Sequence, residues 1–118
     1  MDHKDLEVWK RSMRFVAKVY KTVSMFPAAE LYGLSSQLKR SVLSIPSNIA
    51  EGAARQSDKE LIRFLYIALG SAAEVETQLL VAVRVNYLEA ISIHDLLQEL
   101  EIIKKLILGL INYLKNKP

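Results

Sequence analysis

At 118 residues, 51% of them apolar, the chain is sized for one domain, residues 1–118, with a single real core. It has no cysteine, which excludes disulfides and thiolate metal sites and suits a reducing compartment. The polar opening Met1-Asp2-His3-Lys4-Asp5 leads into no apolar segment, so no signal peptide is expected. No run of about 18 uncharged apolar residues is present to span a membrane, and a cytoplasmic location is expected. The net charge of +3 is unevenly spread: residues 1–63 hold 11 of the 16 Lys and Arg and 7 of the 13 Asp and Glu, leaving 5 and 6 for the remainder. A basic half of this kind attracts nucleic acid, or is an ordinary solvated surface.

Leu6, Trp9, Met13, Val16, Tyr20 and Val23 recur at spacings of three and four, which predicts a helix over 7–25 with a heptad-like seam. A second stripe, Val8, Phe15, Val19 and Phe26, lies beside the first, so half the cylinder is apolar. Arg11, Arg14, Lys18 and Lys21 share another face, with Lys10 at its edge. This is the most concentrated positive surface in the chain, either a solvent face or a phosphate-contacting stripe.

Phe26-Pro27 ends the first helix, and Ala28 to Gly33 forms a connection. The second helix, 34–55, carries Leu34, Leu38, Val42, Ile45, Ile49 and Ala53 on one side. It runs through Pro46 and Gly52, which cost about 3 and about 1 kcal/mol in a helix interior. Packing is expected to offset both, with a kink at Pro46. Gln37, Ser41, Ser44, Asn48, Glu51 and Arg55 make the opposite, polar stripe. In it Glu51 and Arg55 are an i,i+4 ion pair, and Ser44, Ser47 or Asn48 is placed to bond carbonyls that Pro46 leaves free.

Ser57-Asp58-Lys59-Glu60 matches the S-x-x-E capping box and starts a third helix, 58–85. Its core line is Leu61, Leu65, Ala68, Ala72, Val75, Leu79 and Ala82, and small residues near Gly70 admit a close neighbour. Asn86 falls where a left-handed C-terminal residue is expected. Ser92-Ile93-His94-Asp95 resembles a second capping box opening the fourth helix, 93–115. That helix carries Leu96, Leu100, Ile103, Ile107, Leu110 and Leu114 on one seam, while Ile102, Leu106, Leu108 and Tyr113 project elsewhere. Asn116-Lys117-Pro118 is expected to fray. Short connections between four helices predict an all-α, antiparallel up-down-up-down four-helix bundle. Helices one and four are apolar on more faces than a lone bundle hides, which predicts a homo-oligomer using those faces.

No catalytic constellation is present, and the protein is not expected to be an enzyme. His3 and His94 belong to no Glu-x-x-His pair, and each is expected to be exposed. Glu51, Glu74 and Glu76 offer oxygen ligands but lack a histidine or fourth carboxylate, so neither metal nor cofactor is expected. No phosphate-binding loop or dinucleotide fingerprint occurs. Trp9 is expected to pack in the core rather than stack on a base.

Asp5-Leu6-Glu7-Val8-Trp9-Lys10, Tyr32-Gly33-Leu34-Ser35-Ser36-Gln37-Leu38-Lys39-Arg40 and Ser44-Ile45-Pro46-Ser47-Asn48-Ile49-Ala50-Glu51-Gly52 carry a resemblance, continued by Ser57, Lys59-Glu60, Phe64-Leu65, Ala68-Leu69-Gly70-Ser71, Glu74 and Gln78. From Asp5 to Leu114 the chain resembles the bacterial four-helix bundle proteins also called 23S rRNA intervening sequence proteins; Leu61, where an aromatic is common, is a minor departure. The resemblance implies a bundle that assembles as a ring, typically a homopentamer. Some members are encoded inside insertions in 23S rRNA genes. A similar fold occurs in the accessory variability protein of diversity-generating retroelements, which associates with a reverse transcriptase and with nucleic acid. The partners so implied are further copies of the chain, RNA or DNA, and a reverse transcriptase or other protein. The family brings no catalytic residues.

Two functions follow as expectations. In the first, an oligomeric accessory protein contacts nucleic acid, RNA foremost, through Lys10, Arg11, Arg14, Lys18, Lys21, Lys39, Arg40 and Arg55, with Lys59 and Arg63 in support. In the second, a homo-oligomeric scaffold docks a protein through the polar stripe around Asn48 and Glu51 or through its outer helix faces, and binds no nucleic acid.

Overall fold

The computed structural model describes residues 1–118 as four α-helices: α1 (Glu7–Val23), α2 (Leu34–Ala53), α3 (Asp58–Arg84) and α4 (His94–Lys115). Short 3-10 turns occupy His3–Asp5, Ala28–Glu30 and Ala90–Ile93. Every helix end lies within two residues of its expected place. Each helix packs on the next and α4 returns to α1, giving an antiparallel bundle that measures 50 × 24 × 19 Å.

The core is a column of Phe15, Leu38, Ile45, Ile49, Leu65, Leu79, Leu100, Ile103 and Ile107, all fully buried. On α1 the buried line is Val8, Ser12, Phe15, Val19 and Val23. This corrects the expected seam: Met13 and Tyr20 are 44% and 38% exposed. Trp9 is only half-buried, its ring meeting His3 edge-on at 5.0 Å, so His3 is half-buried too. Both stripes have helical spacing, so periodicity cannot rank them. The rotation of α1 between α2 and α4 does. On α4, likewise, Ile111 rather than Leu110 completes the buried line.

Helices α2 and α3 form the most extensive pair. A Cβ at Gly52 would sit 2.8 Å from Phe64 Cβ and 3.0 Å from Leu61 Cδ1, so glycine is what admits this approach. Pro46 is buried, and α2 continues through it without a break. Asn48 Nδ2 donates to the Ser44 carbonyl and to Ser44 Oγ, both at 2.8 Å, and Ser44 Oγ meets Ser71 Oγ on α3 at 2.8 Å. The bonded carbonyl is thus that of Ser44, not that of Val42, which faces the missing N–H of Pro46.

Helix ends follow local chemistry at two places and depart from it at a third. Ser57 Oγ accepts the Glu60 N–H at 3.2 Å, while the Glu60 carboxylate turns to Arg63. Asn86 is left-handed (φ 66°), and the N–H groups of Tyr87 and Asn86 reach the carbonyls of Ala82 and Val83, a complete Schellman closure. The second capping box does not form. Ser92 is drawn into the 3-10 turn, its N–H bonded to Glu89, and α4 starts behind Ile93 with no side-chain cap. In the C-terminal segment, Lys117 Nζ lies 3.0 Å from Asp58 Oδ2 and 5.9 Å from the centre of the Tyr113 ring.

Surplus apolar surface is distributed differently from expectation. Met13 and Tyr20 represent α1, and Ile102, Leu108 and Tyr113 represent α4, but α3 exposes Tyr66, Ile67, Leu80 and Val81, with Val85 just beyond its end. By length and composition α3 is also the one helix apolar enough to cross a membrane, though here its buried line packs inside the bundle.

Candidate functional site

The basic residues divide by what holds them. Arg11 is half-buried between helices: its guanidinium lies 3.4 Å from Glu7 on its own helix and 3.4 Å from Glu99 on α4. Arg14 lies 3.6 Å from Glu7. Arg55 closes on Glu51 at 2.8 Å and stacks its guanidinium 5.0 Å from the Phe64 ring centre. Arg63, 3.0 Å from Glu60, covers the same ring at 4.5 Å. These four arginines are engaged within the subunit, and Arg11 in particular fastens α1 to α4.

Lys10, Lys18, Lys21, Lys39 and Arg40 have no acidic partner within 4.0 Å. Lys10, Lys18, Lys21 and Arg40 are exposed, and Lys39 is half-buried. The antiparallel pairing of α1 with α2 brings the end of the first next to the start of the second. Lys39 Nζ accordingly rests 5.3 Å from the centre of the Tyr20 ring, a cation–π contact between the two helices. Around it Tyr20, Leu31, Tyr32, Ser36, Lys39, Arg40 and Leu43 line an open recess of about 410 Å³. Tyr32 is 93% exposed. Two tyrosine rings beside uncompensated cations can stack unpaired bases and hold phosphates.

Sequence reasoning missed the aromatic half of this site. Tyr20 sits on a helical seam and reads as core, and Tyr32 sits in a connection without periodicity. The available signal was the run Tyr32-Gly33 followed closely by Lys39-Arg40, an aromatic beside a basic pair.

The three carboxylates considered as metal ligands go to separate places: Glu51 to Arg55, Glu76 to Lys104 at 3.1 Å, and Glu74 to a depression between α2 and α3. No three His, Asp or Glu side chains come together. The hydrogen bond to Glu76 raises the pKa of Lys104, with burial opposing it.

Residues 4–109 match the family model described as 23S rRNA-intervening sequence protein. Among solved structures, the chain is similar to a crystal structure from Bacteroides thetaiotaomicron VPI-5482, described as a protein with unknown function from the S23 ribosomal protein family. The two are 26% identical, the match covers 95% of this chain and 99% of that one, and the TM-score is 0.83. A comparison with curated proteins returns no match.

Proposed function

We propose, from the premise that this chain belongs to the 23S rRNA-intervening sequence protein family, that it is a non-catalytic accessory protein that assembles with further copies of itself and contacts single-stranded RNA through the α1–α2 recess. The observation that carries this reading is the recess itself, where the uncompensated cations Lys39 and Arg40 stand with Tyr20 and Tyr32, while Lys10, Lys18 and Lys21 are uncompensated elsewhere on α1. The ribosomal naming of the family and of its structural relative favours RNA over DNA. A subunit net charge of +3 binds weakly alone, and assembly multiplies such patches into a multivalent surface. The exposed apolar side chains of α3 and α4 are suited to that assembly.

Binding of a labelled single-stranded RNA, titrated against salt, tests the reading. Neutralising about five phosphates gives a log–log slope of about −3.5 per subunit. Absence of any salt-sensitive binding at low ionic strength overturns it. The second reading, a scaffold without nucleic acid, draws on the same exposed faces of α3 and α4. A protein partner from the source cell that survives nuclease treatment, with no RNA bound by the purified protein, favours the scaffold.

A further inference from the structure

Beside the aromatic recess, and sharing Arg40 with it, lies a second depression of about 150 Å³ lined only by polar side chains. Gln37, Arg40 and Ser41 come from one face of α2, and Glu74 and Gln78 from one turn of α3. Two features separate it from ordinary surface. Arg40 and Glu74 line the same small space with opposite charges and form no ion pair, whereas Glu51, Glu60 and Glu76 each close on a neighbouring base at 2.8–3.1 Å. And the side-chain oxygen of Gln78 is buried without a hydrogen-bond partner, an arrangement that native proteins avoid. The depression therefore holds a carboxylate that accepts and a guanidinium that donates, neither of them in an ion pair, and one lining residue, Gln78, keeps a buried oxygen without a partner.

We propose that this depression recognises a guanine base of single-stranded RNA; the inference rests on the RNA reading above and names its specificity. Among the standard bases only guanine presents two adjacent donors, N1–H and the N2 amino group, on one edge, and two acceptors, O6 and N7, on the next. Glu74 accepts from the donor edge, and Arg40 donates to O6 and N7, the commonest arginine–base pairing. Unpaired bases expose both edges at once, which a duplex does not. Arg40, common to both depressions, links the base to the neighbouring recess, where Lys39 meets phosphate and Tyr20 and Tyr32 offer rings to the adjoining nucleotides.

The test uses oligouridine carrying one central guanosine, and the same strand with adenosine or inosine there, bound to the full chain at low salt. The guanosine strand is expected to bind about tenfold tighter than the adenosine strand. Inosine, which lacks the amino group, is expected to fall between them. Glu74→Gln should abolish the preference while leaving the helical circular dichroism unchanged. Lys18→Glu should weaken all three strands alike. Equal affinity for the three strands, or a preference that survives Glu74→Gln, overturns the guanine assignment while salt-sensitive RNA binding stands. No binding to any strand overturns both. Loss of self-association in Glu74→Gln, without a change in base preference, assigns the depression to a contact between copies and overturns the proposal.

Discussion

The Tyr87 hydroxyl donates to Glu30 Oε1 at 3.2 Å, while the other oxygen of that carboxylate accepts the Leu34 N–H at 2.8 Å. One side chain thus caps the start of α2 and ties the connection after α1 to the connection after α3, 57 residues away. Phe26 adds an aromatic contact to Tyr87 at 5.7 Å between ring centres. The cap comes from outside the helix because Gly33, the residue before it, has no side chain. Replacing Glu30 by Ala should destabilise the fold by about 1–2 kcal/mol, since the Leu34 N–H loses its charged acceptor. Urea unfolding checks this; an unchanged midpoint shows that water caps α2 equally well.

Alkaline pH should weaken the same clamp. Burial, and then the charge and hydrogen bond of Glu30, raise the pKa of Tyr87. A raised folded-state pKa favours the protonated form, so this stabilisation is complete below the unfolded pKa and is lost as pH rises through the folded one. Lys104, raised first by its hydrogen bond to Glu76, has the same sign. Urea midpoints should therefore fall above about pH 10, and Tyr87→Phe with Lys104→Met should flatten the decline. An equally steep decline in the double variant would place the sensitivity elsewhere.

Gly52→Ala should destabilise, against helix propensity, which favours alanine by about 1 kcal/mol. The added Cβ meets Phe64 Cβ at 2.8 Å and Leu61 Cδ1 at 3.0 Å, so α2 and α3 must part or Phe64 must move. Overpacking of this kind costs about 1–3 kcal/mol. A higher thermal midpoint in the variant would show that the pair yields easily.

Paired and unpaired cations of α1 and α2 should behave differently on charge reversal. Lys18→Glu and Arg40→Glu, both exposed and unpaired, should each weaken RNA binding about tenfold at low salt and leave stability nearly unchanged. Arg11→Glu would face Glu7 and Glu99 with a like charge at a half-buried position. Its main effect should be on stability, about 1–2 kcal/mol. RNA affinity that falls only in Arg11→Glu would move the interface to the α1–α4 edge.

Self-association should depend on α3. Ile67 and Val81, 42% and 41% exposed, are two heptads apart and share one face. Substituting both by Glu should reduce the mass measured by light scattering to that of one subunit without loss of helicity. An unchanged mass in the double variant would remove α3 from the interface, and a wild type that is already monomeric would remove the assembly itself.

Local rules account for what could be read directly from the residues. Ser57 capped α3, Asn86 closed it, and the apolar periods set four helices in their observed ranges, because each feature depends on residues within a turn or two of one another. Ser92 failed as a cap because it lies inside the 3-10 turn Ala90–Ile93, which places Ile93, without a capping side chain, at the N-cap position of α4.

The order of helices, their approximate ranges and the all-α class were therefore determined by the sequence alone. Tertiary structure decided which of two equivalent stripes on α1 is buried, and so moved Tyr20 from the core to the rim of a recess. It decided which cations are spent on partners, drawing Arg11 to Glu99 across 88 positions and leaving Lys39 and Arg40 unpaired. It also brought Gln37 and Arg40 to one depression with Glu74 and Gln78. All three outcomes turn on the rotation of each helix about its own axis. That rotation is fixed by packing against neighbours distant in the chain, and helical periodicity carries no information about it.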